Sequence, residues 1–147
     1  MPPGEDREPD PEPDADQART RRVRLSERAQ RDIDAAVVRL AELSGNAVAD
    51  AWQDGLLLAL GGLTVFPERC AFVPEQAQFT RPVRHLVYRR PGSGRKSPAY
   101  RAFFDLLDAQ GTQDAPTVYV LHVRHGAAAP VSAEEAHEIE TQADEAA

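Results

Sequence analysis

Cysteine is nearly absent: Cys70 is the only one in 147 residues, which excludes an intramolecular disulfide framework and a thiolate metal cage built from this chain alone. Lysine is as scarce. Lys96 stands alone among the basic residues, so the positive charge is carried by arginine, which stays protonated and makes a poor general base. No apolar run reaches the roughly 20 residues that cross a bilayer; residues 55–65 come about halfway and are interrupted by Gly61-Gly62. The acidic N-terminus lacks the apolar segment that export requires, so a cytoplasmic location with no membrane partner is expected. Of the four histidines only His122 and His125 are close in sequence, with no carboxylate or thiol at ligand spacing beside them, so neither a metal nor a cofactor is expected. Gly92-Ser93-Gly94 lacks the Lys-Ser/Thr ending and the strand-to-helix setting of a phosphate loop and reads as a turn.

The length allows one domain. Residues 1–18 hold seven acids against one arginine and have no aliphatic side chain larger than alanine after Met1, so they read as a disordered acidic tail. Residues 129–147 read as a second one: from 127 onward there are six acids, no Lys or Arg, and only Val131 and Ile139 as large aliphatics, too little to dock a helix firmly. The formal charge of -7 conceals a basic centre, because residues 19–126 carry sixteen basic and eleven acidic residues. Such a centre suits an anionic partner, and the acidic tails could cover the same surface in cis.

Between the tails, Val23-Arg24-Leu25 reads as a short strand ending at Ser26, a helix cap. Ile33, Val37 and Leu40 mark the apolar face of a first helix, which Gly45 stops. Asn46 is expected to cap a second helix whose ridge is Val48, Trp52, Leu56, Leu60 and Leu63. The short junction implies a helical hairpin. Proline at 67, 74 and 82 makes the next stretch an irregular crossing, and residues 83–89, 100–107 and 117–124 are strands joined by turn-rich loops. The expected class is α+β in the order β-α-α-β-β-β, an antiparallel sheet with the helical hairpin on one face and the other face comparatively open.

Four stretches in this order carry a resemblance: Val23-Arg24-Leu25-Ser26; Phe66-Pro67-Glu68-Arg69-Cys70 with Pro74-Glu75; Val83-Arg84-His85-Leu86-Val87-Tyr88; and Val118 through Ala127, which ends in Arg124-His125-Gly126-Ala127. Together they resemble the plasmid-stabilisation branch of the RelE/ParE toxins, over a domain placed at residues 19–128. The resemblance implies the toxin of a type II toxin-antitoxin system, inhibiting growth and held inactive by a cognate antitoxin. It implies two distinct activities, ribosome-dependent mRNA cleavage or inhibition of DNA gyrase without nuclease action, and fold does not choose between them. The family motif is commonly followed by further arginine, whereas Ala128, Ala129 and Pro130 follow here.

Cleaving RNA through its own 2′-hydroxyl needs a proton acceptor, cations for the charged phosphorane and a donor for the leaving oxygen. The candidate catalytic set is Arg84, Arg101, Arg124 and His125, with His122 as a second acid-base candidate and Tyr88 or Tyr100 to stack on a base. The arginines lie on three consecutive strands and form one patch on the open face if their parities agree; otherwise they are the solvated side of an ordinary sheet. In β parity Arg124 and His125 face opposite ways, and the preferred assignment puts Tyr119, Leu121 and Val123 in the core, Arg124 on the open face and His125 just past the strand. Trp52 and Cys70 read as core residues. The competing function is a non-toxic binding module whose basic sheet face takes an acidic protein segment, its own tails included, or nucleic acid.

Overall fold

Ser26 joins the first strand to the first helix. Its Oγ accepts the Ala29 N–H at 3.0 Å and donates to the Leu121 carbonyl at 3.2 Å, while its own N–H donates to Val120 O at 2.9 Å. One buried hydroxyl therefore caps the helix and fixes the helix start against the sheet.

The computed structural model describes residues 20–92, 98–108 and 116–146; the tail expected over residues 1–18, and Arg95 and Lys96 of the first hairpin loop, lie outside them. The elements are β1 (Arg22–Leu25), α1 (Glu27–Ser44), α2 (Asn46–Gly61), β2 (Arg84–Tyr88), β3 (Tyr100–Leu107), β4 (Thr117–His125) and α3 (Ala133–Ala146). Three single-turn 3₁₀ segments occupy the crossing between α2 and β2. The class is α+β, with α1 and α2 as a hairpin. Gly45, at φ +96°, serves both helices: its N–H closes α1 onto Ala41 O and its carbonyl accepts the Ala49 N–H, so it and not the expected Asn46, which is the first residue of α2, is the N-cap.

The sheet order is β1-β4-β3-β2. β2, β3 and β4 form the expected antiparallel meander, and β1 adds to β4 in parallel, so the sheet is mixed. Parallel pairing needs a long crossover, and everything between Ser26 and Pro116 supplies it. On one face Ala29, Ile33, Trp52, Leu56, Leu60 and Leu63 of the helical hairpin region pack on Tyr88, Tyr100, Ala102, Phe104, Val118, Val120 and Val123. Gly55 permits the closest approach, since a Cβ there would strike the Tyr88 hydroxyl, which donates to Trp52 O at 3.1 Å. Trp52 is core as expected, with its indole N–H unpartnered among the described residues.

The other face is covered, which corrects two expectations. Residues 133–146 are helix rather than disordered tail, and Ala136, Ile139 and Ala143 of α3, with Val131, pack on Val73, Phe79, Val83, Phe103, Tyr119 and Leu121. Ile139 is fully buried. Alanines one turn before and after it let the helix lie close to the sheet, so a single large aliphatic suffices as the anchor, and polar contacts on both flanks hold the rest. Among the described residues no helix is long and apolar enough to cross a membrane.

Candidate functional site

A β-bulge sorts the candidate residues. In β3–β4, Phe103 pairs with His122 and Phe104 with Val120, leaving Leu121 without a partner. The extra residue shifts the parity of the rest of the strand. His122 and Arg124 thereby join Arg101, Phe103, Tyr119 and Leu121 on the α3 face, while Val123 and His125 turn to the hairpin face with Ala102 and Tyr100. Val123 thus packs in the hairpin core, opposite Tyr119 and Leu121, and the single core assignment expected for the three residues is corrected by the bulge.

Arg101 is on the α3 face but is not open. Its guanidinium meets Glu75 through two hydrogen bonds, Nη1–Oε1 at 3.0 Å and Nη2–Oε2 at 2.7 Å, with side-chain exposures of 12% and 5%. The Arg101 bonds hold the Glu75 carboxyl down at about 2 against the opposing effect of burial, and the Val131 N–H, donating to Oε2 at 3.1 Å, assists. The lock therefore also fixes the approach to α3. His85 lies beside it, 3.4 Å from Arg101 Nη1, and is pushed below its ordinary value first by burial and then by the Arg101 charge.

Arg124 is committed in the same way. It donates to Glu135 Oε2 at 3.0 Å and to Ala129 O at 2.6 Å, and its Nη1 stands 3.3 Å from His122 Nε2. His122 is buried, edge-on to Phe103, with Nδ1 2.9 Å from Asp32 Oδ2 and 3.1 Å from Arg28 Nε. Nδ1 accepts from Arg28 Nε beside the Asp32 carboxylate, and the Nε2 edge faces Arg124. Asp32 Oδ2 also accepts the Val123 N–H at 2.9 Å.

The carboxylates of α3 complete the cover. Glu135 and Glu138 reach Arg28 at 3.5 and 3.0 Å, and Asp144 reaches Arg81 at 2.6 Å. Glu140 Oε2 accepts from Thr80 N–H, Thr80 Oγ1 and Arg81 N–H at 2.9, 3.0 and 3.2 Å. The carboxylates of α3 thus pair with Arg28, Arg81 and Arg124, which flank the apolar centre of this face.

The other candidates are elsewhere. Arg84 pairs with Phe104 and shares the hairpin side with Leu86 and Tyr88, so the single patch of Arg84, Arg101 and Arg124 does not form. Its guanidinium donates to Glu68 O at 3.1 Å and Cys70 O at 2.8 Å and lies over the Phe72 ring. Those bonds pin the crossing segment to β2. His125 sits against Tyr100 on the hairpin face, its Nδ1 accepting the Ala127 N–H at 3.0 Å. Tyr88 and Tyr100 are buried under the hairpin, away from any base on the α3 face.

Sequence reasoning missed Arg28, Asp32, Glu75 and Arg81, each joined to partners by the fold rather than by spacing. A signal was present in α3, where Ala136, Ile139 and Ala143 fall on one stripe, Glu135, Glu138 and Gln142 flank one side, and Glu140 and Asp144 the other. Among the described residues no group of three or more His, Cys, Asp or Glu is placed to hold a metal ion.

No curated protein and no solved structure matches the chain. A family model does, over residues 23–130, from β1 to just past the Arg124-His125-Gly126 ending of β4. The chain belongs to the family of the ParE toxin of the type II toxin-antitoxin system parDE.

Proposed function

We propose that this toxin acts by binding rather than by cleaving RNA, with DNA gyrase as its target, in the cytoplasm and under the control of a cognate antitoxin. Membership of the family supplies the toxin and the antitoxin. The observation that carries the choice of activity is the bonding of the sheet arginines: Arg101 to Glu75, Arg124 to Glu135 and Ala129 O, and Arg84 to the carbonyls of Glu68 and Cys70. RNA cleavage needs cations and a proton acceptor converging on one scissile phosphate. Here the arginines divide between two faces, and His122, which shares a face with Arg101 and Arg124, is 4% exposed. The roles that favour this reading are therefore structural ones for Arg84, Arg101 and Arg124, with recognition made by protein surface.

One observation favours a second reading, a binding module without toxicity. The acidic helix α3 already pairs with Arg28, Arg81 and Arg124 on its face of the sheet, as a partner segment of that chemistry would.

Induction of the full chain in bacteria lacking the antitoxin, with DNA and protein synthesis followed separately by pulse labelling over the first minutes, tests the reading. DNA synthesis failing first supports gyrase. Protein synthesis failing first supports mRNA cleavage, and undisturbed growth with soluble protein present supports the binding module.

A further inference from the structure

Between α1 and the ends of β3 and β4 lies a half-open cleft of about 250 Å³. One wall is a single stripe of α1, Asp32, Ala35, Ala36 and Arg39, and the other includes Tyr100 and His125. The two alanines in mid-stripe leave the space, because a longer side chain at either would project into it. The volume falls below the roughly 300–1,000 Å³ of pockets for drug-sized ligands, so it suits a small group.

The chemistry of the walls is that of donors. Tyr100 is 7% exposed as a residue and lines the cleft, packed edge-on against His125. Arg39 is exposed, close enough for its charge to oppose the effect of burial on the Tyr100 phenol, and without an ion pair among the described residues. His125 accepts the Ala127 N–H at Nδ1, which leaves the Nε2–H of the neutral ring as its donor. The one carboxylate, Asp32, accepts the Val123 N–H at Oδ2, the oxygen that also stands 2.9 Å from His122. Arg124 also lines the cleft, while its guanidinium is bonded to Glu135 and Ala129 O on the α3 face.

We infer that this cleft is an anion site that takes a terminal phosphate, free or as a monoester, held by the Arg39 guanidinium, the Tyr100 hydroxyl and the His125 ring. A guanidinium, a hydroxyl and an imidazole N–H offer separate donors to the oxygens of one tetrahedral anion. The site is on the hairpin face and is independent of the toxin's choice of target.

The test is a titration of the full chain with inorganic phosphate, read by NMR at the His125 ring, with chloride at matched ionic strength as control and surface His137 as internal reference. A saturable shift at His125 that chloride does not reproduce is expected. Arg39→Ala, at an exposed position that leaves the fold intact, should weaken it about tenfold, and Tyr100→Phe should weaken it several-fold. A 5′-phosphorylated mononucleotide that displaces inorganic phosphate identifies a monoester as the bound form, and failure to displace identifies free phosphate. No phosphate-specific shift, or a shift unchanged in folded Arg39→Ala, overturns the proposal.

Discussion

Glu75 and Arg101 form a two-bond ion pair, 3.0 and 2.7 Å, between the crossing segment and the middle of β3, and both side chains are almost wholly inside the protein. Breaking such a pair from one side strands a buried charge, which costs about 3–5 kcal/mol. Arg101→Ala and Glu75→Ala should therefore each lower stability by an amount of that order in urea unfolding, while the double variant loses less than the two losses added. Losses below about 1 kcal/mol for both single variants would show that the pair behaves as a surface contact.

The same pair sets an acid limit. Glu75 is held at about 2 against an ordinary value of 4.5, so its contribution is complete above about 4.5 and is lost as the pH falls toward 2. Asp105 works in the opposite direction, since burial raises it and its protonation favours the fold. Stability measured from pH 6 down to 2 should fall in the wild type and fall less in Glu75→Gln, whose amide has no proton to gain. Parallel curves for the two would refute the assignment.

Ile139 is the anchor of α3. Truncation of a fully buried isoleucine costs about 2–5 kcal/mol, and here the loss should appear as local opening of α3, with amide exchange rising from Val131 to Ala143 before it rises in β3. Freed from Glu135, Glu138 and Asp144, the residues Arg28, Arg81 and Arg124 then face solvent. Ile139→Ala should bind a polyanion such as heparin more tightly than wild type, with a steeper dependence on salt. Unchanged exchange in α3 would remove the helix from the second core.

Gly55→Ala tests the seat of α2 on β2. The added methyl meets the Tyr88 hydroxyl, and overpacking of this kind costs about 1–3 kcal/mol. Tyr88→Phe in the same chain should restore part of the loss by clearing the clash, and no rescue would mean that the helix sits elsewhere.

The hairpin helices and the three meander strands were legible because their signals are local: Ile33 to Leu40 and Trp52 to Leu63 keep helical spacing, and residues 117–124 are strong strand formers. α3 was not, because what holds it lies far away in the chain: the apolar bed of Val73, Phe79, Val83 and Phe103 under Ile139, and the flanking Arg28, Arg81 and Arg124. Arg124 lies on the side of the sheet away from the hairpin, but that side is covered by α3 and is shared by Tyr119 and Leu121, which were expected on the opposite one. A bulge at Leu121, invisible in the alternation of the sequence, carries His122 and Arg124 together to the face of Tyr119 and Leu121 and sends Val123 to the hairpin core. Arg84 had the spacing of a site residue, yet its edge position opposite Phe104 makes it a brace for the crossing segment.

The most direct test of the central claim is a supercoiling assay with purified DNA gyrase and the purified full chain, run beside an mRNA cleavage assay on translating ribosomes. Binding without RNA chemistry predicts dose-dependent loss of supercoiling and intact message. Message cut on the ribosome, with supercoiling untouched, would contradict it.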